Sequence, residues 1–246
     1  MCGFLGMFGP QAHMADVENV QRVLTHRGPD DAGTYRGKNA VIGFQRLSFL
    51  DLSPSGHQPM RFGDIIIVFN GEVYNFRDIR AELEKLGHKF ISSGDTETVL
   101  HAYAQWGPGC LAKFIGMYAF VIVNTATDEV FMARDRLGVK PLYYATQGEN
   151  LLVASEVQGL IKLGLRPSWN WKAIQRQTVL TSYYGYEEGE IVLAEVYELP
   201  PATYGIRKPG EKCVCFLNLC PIRRRWYFSV HIMIFWKSFG FCLSAL

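Results

Sequence analysis

Residues 63–75 read GDIIIVFNGEVYN. Four consecutive β-branched residues, Ile65 to Val68, run into Phe69 with no polar residue at alternate positions. A strand with one wet face alternates, whereas this one is apolar on both sides and must be covered on both. The chain therefore has to build a layered domain around it. The apolar run stops abruptly at Asn70-Gly71, and the polar end of a doubly buried strand is where a functional site is expected. Asn-Gly is equally the signature of a tight hairpin, and spacing alone leaves both roles open.

Other segments fit a layered mixture of helices and strands. GFLGMF at 3–8 reads as a short buried strand. Val17, Val20 and Leu24 recur at helical spacing, in a helix predicted to end before HRGPDD at 26–31. NAVIGFQRLSFLD at 39–51 is a strand leaving into a loop. Ile79, Leu83 and Leu86 mark an amphipathic helix closed by Gly87. SGDTE at 93–97 can cap a second helix whose inner face carries Val99, Leu100, Tyr103 and Trp106. Residues 118–134 form a hairpin turning near Asn124 to Asp128, strands follow at 141–145 and 151–155 around Gly148, and a short helix follows Glu156. The pattern predicts an α/β protein with many antiparallel pairs instead of alternating βαβ units.

At 246 residues the chain suits one large domain or two small ones, and a net charge of +2 gives no electrostatic case for nucleic acid. Cys2 and Cys110 stand alone, while Cys213, Cys215, Cys220 and Cys242 fall near the end. No CxxC pairs with another or with two histidines, so no metal site is expected. No basic segment leads into a long apolar core at the N-terminus, so the expected compartment is the cytoplasm, where Cys2 stays a free thiol. Beyond Lys212 the character changes to crowded aromatics, a basic triplet and no clear period. Residues 226–246 have the length of a membrane span, but His231, Lys237 and several serines interrupt them. The expectation is that 207–246 is an atypical hydrophobic tail outside the fold and that no membrane is involved.

The chemistry-bearing residues converge on one reaction type. A thiol needs a base to become a nucleophile, and an α-amino group titrating at about 7.7–8.0 is partly neutral at cytoplasmic pH. If Met1 is removed, Cys2 carries nucleophile and base on one residue. Attack on a carbonyl creates an oxyanion, for which the Asn70 side chain and the Gly71 backbone N–H are candidate donors. Arg46 can grip a carboxylate through its fork, and Asp95 can pair with an ammonium. Taken singly, Arg46 reads as a surface arginine and Asp95 as a helix N-cap. His26 and Arg27 can brace such a site from behind. ARDRLGVKPLYY at 133–144 has one glycine and no GK[ST], so it is read as a charged network pinning loops, not as a phosphate cradle.

In order, MCGFLGMFG, HRGPDD, QRLSFLD, FNGEVYN, SGDTE, GMYAFVI, RDRLGVKPLYY and ASE resemble the glutaminase domain of glutamine-dependent asparagine synthetases. The likeness is close over 2 to about 165 and thins toward YELPPATYGI near 205. It implies an α+β fold of N-terminal nucleophile type, two stacked antiparallel sheets flanked by helices, spanning 2–206 as a class II glutamine amidotransferase domain. It also implies that Cys2 attacks the side-chain amide of L-glutamine, forms a glutamyl thioester and releases ammonia, with Asn70 and Gly71 as the oxyanion hole. Arg46, Phe49, Leu50, Glu72 and Asp95 would hold the substrate, with His26 and Arg27 in support. No cofactor is implied for this half-reaction. ATP and magnesium belong to the family's second, synthetase domain, whose SGGLDS-like loop is not found in this sequence. A separate synthetase subunit or domain is therefore an expected partner. The alternatives are an inactive truncated remnant, the amidotransferase part of a related carboxylate-amidating synthetase, or a tail-anchored protein with such a head.

Overall fold

The computed structural model describes residues 1–179, 189–211 and 215–218. In chain order the strands are β1 (Gly3–Phe8), β2 (Asp31–Arg36), β3 (Ala40–Arg46), β4 (Met60–Phe62), β5 (Ile65–Val73), β6 (Gly116–Asn124), β7 (Glu129–Arg134), β8 (Tyr143–Gln147), β9 (Asn150–Ala154), β10 (Tyr197–Glu198), β11 (Thr203–Arg207) and β12 (Cys215–Asn218). The α-helices are α1 (Val17–Val20), α2 (Phe76–Lys85), α3 (Asp95–Trp106), α4 (Val157–Lys162) and α5 (Trp171–Val179). Two six-stranded sheets result, ordered β10-β8-β9-β1-β3-β2 and β12-β11-β7-β6-β5-β4. Every pairing among the described residues is antiparallel.

Strand alternation sorts the apolar residues into three cores. Phe4, Phe8, Ile42 and Phe44 of the first sheet meet Ile66, Val68, Val121, Val123 and Met132 of the second in the inter-sheet layer. Ile67, Phe69, Phe120 and Ile122 point the other way and are covered by Ile79 and Leu83 of α2 and Val99 and Leu100 of α3. Leu5, Met7, Val41 and Leu152 form the outer face of the first sheet, covered by Val17, Leu24 and Leu160. This is why the strand at 65–69 is apolar on both sides: it has a sheet on one face and two helices on the other. Helices keep to the outer faces of antiparallel sheets, so the fold is α+β, the N-terminal nucleophile layering that the resemblance implies.

Several elements depart from the sequence pattern. β5 does not stop at Asn70. It continues to Val73, with Asn70 opposite Ala119 and Gly71 opposite Tyr118, so Asn70-Gly71 is no hairpin. The helix begun at Val17 makes one α turn and then tightens to a 3₁₀ helix over Gln21–Arg27, which carries it into HRGPDD. Leu86 is 53% exposed and does not belong to the buried face of α2. β2, β4, β10 and β11 were not predicted as strands. β12 pairs with β11 and carries the second sheet past residue 206. Residues 219–246, including the stretch of membrane-span length, lie outside the described residues. No helix among the described residues is long and apolar enough to cross a membrane.

Candidate active site

Cys2 stands immediately before β1, where Gly3 pairs with Gln45 near the end of β3. The Leu47 N–H donates to Cys2 Sγ at 3.4 Å, and the Leu47 carbonyl lies 3.5 Å from the same sulfur. Burial pushes the thiol above its ordinary pKa, the Leu47 contact and the Arg46 charge act against that rise, and Asp95 adds to it. The peptide on its other side is braced. Arg27 Nε donates to the Cys2 carbonyl at 3.0 Å, and Arg27 Nη1 donates to Glu156 Oε1 at 2.8 Å. His26 Nε2 is 2.9 Å from that oxygen, from an exposed position. Burial raises the Glu156 carboxyl, but the Arg27 and His26 bonds outweigh it and hold the group below its ordinary value. The fit needs a glycine at position 3, because a Cβ there would stand 2.9 Å from Arg27 Cδ.

β5 supplies two further donors through ladder geometry. Antiparallel neighbours exchange bonds at alternate residues only. The N–H of Tyr118 donates to Asp135 Oδ2 at 3.2 Å, and its carbonyl accepts from the Asp135 N–H at 2.8 Å. Tyr118 thus faces β7, and its opposite number, Gly71, directs its backbone groups away from β6. That edge of β5 is open beyond β4, and its N–H groups at alternate residues have side-chain partners: Phe69 donates to Gln58 Oε1 at 2.7 Å, and Val73 to Asp95 Oδ2 at 2.9 Å. The Gly71 N–H between them faces the cleft that Gly71 lines. Asn70 turns its side chain to the opposite face, the inter-sheet layer of Val68, against which Cys2 packs. Asn70 is 1% exposed, and among the described residues its Nδ2 has no hydrogen-bond partner. A buried amide donor without an acceptor is costly, and here it sits at the polar end of the strand next to Gly71, which lines the cleft; Asn70 itself is not among the lining residues.

The cleft is lined by Cys2, Arg46, Phe49, Leu50, Glu72 and Asp95, so it gathers most of the residues singled out in the sequence. Arg46 is no surface arginine. It is 7% exposed, donates to the Ser53 carbonyl at 3.1 Å and to the Asp51 carbonyl, and lies 4.0 Å from Asp31. Asp95 is no N-cap: Gly94 holds that position, and Asp95 is the first residue of α3, with its carboxylate turned onto β5. Burial, reinforced by the Glu72 charge, raises the Asp95 carboxyl to about 6 against the backbone bonds it accepts. Phe49 and Leu50 are exposed on the loop after β3.

Some participants escaped the sequence reading. Asp51 accepts from Ser53 N at 2.8 Å, Ser53 Oγ at 2.6 Å and Ser93 N at 2.8 Å, which ties the Phe49–Leu50 loop to the loop before α3. Those bonds overcome a burial penalty and hold its carboxyl at about 2. Glu97 accepts from the Ile91 and Ser92 N–H groups at 3.0 Å and 2.7 Å and pins the same wall. Gln58 caps Phe69. The loop after β7 is the pinned network expected: Asp135 accepts from the N–H groups of Leu137, Val139 and Lys140, and Arg134 donates to the carbonyls of Gly138, Lys140 and Leu199. Cys2 and Cys110 are free thiols, and Cys110 is buried on the helix side with its pKa raised to about 12. Among the described residues no cluster of three or more His, Cys, Asp or Glu side chains could hold a metal ion.

Residues 1–214 match the glutamine amidotransferase domain family. Asparagine synthetase (glutamine-hydrolyzing) 1 of Bacillus subtilis is 38% identical over 220 residues, which cover 86% of this chain and 34% of that protein. Amidase chry2 of Gibberella zeae is 34% identical over 201 residues, 80% of this chain and 29% of that one. The chain thus spans about a third of the length of these relatives. The structure of glutamine phosphoribosylpyrophosphate amidotransferase from B. subtilis superposes with a TM-score of 0.65 at 21% identity, over 89% of this chain and 50% of that one, and shows the shared fold.

Proposed function

Since the chain belongs to the glutamine amidotransferase domain family, we propose that it hydrolyses L-glutamine at Cys2. Removal of Met1 turns the Cys2 nitrogen into a terminal amine. That amine takes the thiol proton, and the sulfur attacks the side-chain amide carbon. Asn70 Nδ2 and the Gly71 N–H receive the charge that develops on the carbonyl oxygen. The amine passes its proton to the leaving nitrogen, ammonia departs, and a glutamyl thioester remains. Water then attacks the thioester, which frees glutamate and restores the thiol. Arg46 holds the substrate carboxylate, Asp95 with the Gly71-Glu72 segment holds its ammonium, and Phe49 and Leu50 wall the methylene chain. Arg27, braced by Glu156 and His26, fixes the Cys2 carbonyl. No cofactor enters this half-reaction.

The observation that carries this reading is the buried Asn70 Nδ2, without a hydrogen-bond partner among the described residues, next to Gly71, which lines the cleft together with Cys2. An amide without a protein acceptor keeps its donor available for an oxygen of a bound substrate. The likeness to glutamine-hydrolyzing asparagine synthetases supports an asparagine-synthetase type of amidotransferase. In such a protein the ammonia goes to a carboxylate activated by ATP and magnesium in a synthetase domain or subunit, and the setting is the cytoplasm.

The decisive assay is release of glutamate and ammonia from glutamine by the purified chain, with Cys2→Ala beside it. Release that vanishes in Cys2→Ala is expected. Undiminished release would refute the mechanism.

A further inference from the structure

The two charged residues given to the α-end of the substrate stand on different segments, and one buried side chain joins those segments. Arg46 ends β3, and Asp95 opens α3. Asp51 lines the same cleft and is 7% exposed. Its backbone carbonyl accepts from Arg46 Nη2. One carboxylate oxygen accepts from Ser53 N at 2.8 Å and Ser53 Oγ at 2.6 Å, and the Ser53 carbonyl in turn accepts from Arg46 Nη1 at 3.1 Å. The other oxygen accepts from Ser93 N at 2.8 Å, just ahead of Gly94 and Asp95. Backbone folded by the Asp51 carboxylate thus steers both ends of the Arg46 fork, and the same carboxylate fixes the entry to α3. This corner has no slack: a Cβ on Gly56 would stand 3.1 Å from Arg46 Cζ and 3.3 Å from Asp51 Cβ. Arg80 and Glu97 bind the segment before α3 to α2 and α3 themselves, so their bonds do not set its distance from Arg46. Gln58 Nε2 also reaches across, to Thr96 Oγ1, but at 3.3 Å and without charge.

We propose that Asp51 is a positioning residue for substrate recognition: it sets the spacing of Arg46 and Asp95 and thereby makes the site selective for the L-configuration of its amino-acid substrate. The inference rests on the glutaminase reading above and adds the origin of its stereochemical selectivity. An α-carboxylate and an α-ammonium share one carbon, so the protein groups that take them must keep a fixed separation. A molecule held at its side-chain amide by Cys2 and at its carboxylate by Arg46 has one direction left for the ammonium. Its enantiomer points that group elsewhere. A guanidinium has five N–H groups in a rigid fork, and the two that Arg46 spends on the Asp51 and Ser53 carbonyls leave others for a carboxylate. The bonds to Ser53 and Ser93 outweigh burial and hold the Asp51 carboxyl at about 2, so the tie is charged and intact at neutral pH.

The test compares wild type, Asp51→Asn and Asp51→Ala with L-glutamine and D-glutamine as substrates. Alanine removes both legs of the tie; asparagine keeps the shape and one acceptor oxygen. A misplaced charge-assisted contact costs about ten-fold or more in affinity. Asp51→Ala should therefore raise KM for L-glutamine about ten-fold or more, while kcat changes less than about three-fold because Cys2, Asn70 and Gly71 are untouched. The ratio of kcat/KM for L- over D-glutamine should fall about ten-fold, with Asp51→Asn between alanine and wild type. A variant that is merely less folded loses both substrates alike and keeps the ratio. Binding is read separately, by isothermal titration calorimetry of L- and D-glutamine on Cys2→Ala with and without Asp51→Ala, which needs no turnover. A preference for L over D that is the same in the presence and absence of Asp51, or missing from the start, overturns the inference. A wild-type chain with no Cys2-dependent glutamine hydrolysis overturns the glutaminase reading instead, and the calorimetric preference still decides the role of Asp51.

Discussion

Asp95→Asn should strengthen the fold while weakening the site. The wild-type carboxyl is raised from 3.8 to about 6, so the folded chain binds a proton more tightly than the unfolded one. The sign follows from linkage. Below pH 4 both states hold the proton and the carboxyl costs nothing. As pH rises from about 4 to 6, the unfolded state loses its proton first and stability falls. Above pH 6 the loss is complete, at about 3 kcal/mol, since each pKa unit is worth about 1.36 kcal/mol. Asparagine is nearly isosteric, and its oxygen can still accept from the Val73 N–H, which Asp95 now does at 2.9 Å. Urea unfolding of wild type and Asp95→Asn at pH 4, 5, 6 and 8 should give curves that coincide at pH 4 and separate by about 3 kcal/mol at pH 8, with the variant more stable. Glutamine turnover should move the other way, with KM raised ten-fold or more because a buried ammonium loses a carboxylate partner. A difference below about 0.5 kcal/mol at pH 8 would refute the buried-charge reasoning. An unchanged KM would refute the role of Asp95 in binding.

Other outcomes follow from the same geometry. Asn70→Leu should lower kcat by about a hundred-fold to a thousand-fold with stability unchanged or increased, because it removes a donor that has no partner in the folded chain; intact kcat would exclude Asn70 from the oxyanion hole. Gly71→Ala should lower the melting temperature and abolish turnover, since a Cβ there meets the Met117 carbonyl and stands 2.6 Å from Tyr118 Cα; a fully stable variant in differential scanning calorimetry would contradict the close approach of β5 and β6. Iodoacetamide at pH 8 should modify Cys2 and leave Cys110, whose burial raises its pKa to about 12; peptide mass spectrometry showing equal labelling would mean that the helix-side core is not closed.

The sequence carried the layers and the main site residues further than it carried their contacts. The doubly apolar run at 65–69 sufficed to demand a two-sided covering, and the eight ordered motifs named the residues that line the cleft. What it could not give was direction. Asn70 and Gly71 stand together as a polar break in either a hairpin or a strand. Only the pairing with Ala119 and Tyr118 decides that one turns inward and the other offers its N–H to the open edge. Asp95 looked like a cap because an acid at the start of a helix usually is one; its partner, Val73, is on another element. Asp51 is intermediate. Its bonds to Ser53 are a local Asx turn that DLS could have signalled, whereas its bond to Ser93 spans 42 residues. β2 was missed because its residues are half exposed and carry no apolar stripe.

The place of β1 in its sheet sets an order of events. It lies between β3 and β9, and its contact with β9 joins Leu5 to Ala154. Closing so long a loop costs entropy before any bond rewards it, and such distant pairings slow folding. A chain that has joined β1 only to β3 already has Leu47 within reach of the thiol. It lacks Glu156, which follows β9 and anchors the arginine that grips the Cys2 carbonyl. During refolding, accessibility of Cys2 should therefore decay in two stages, and catalytic competence should appear with the second.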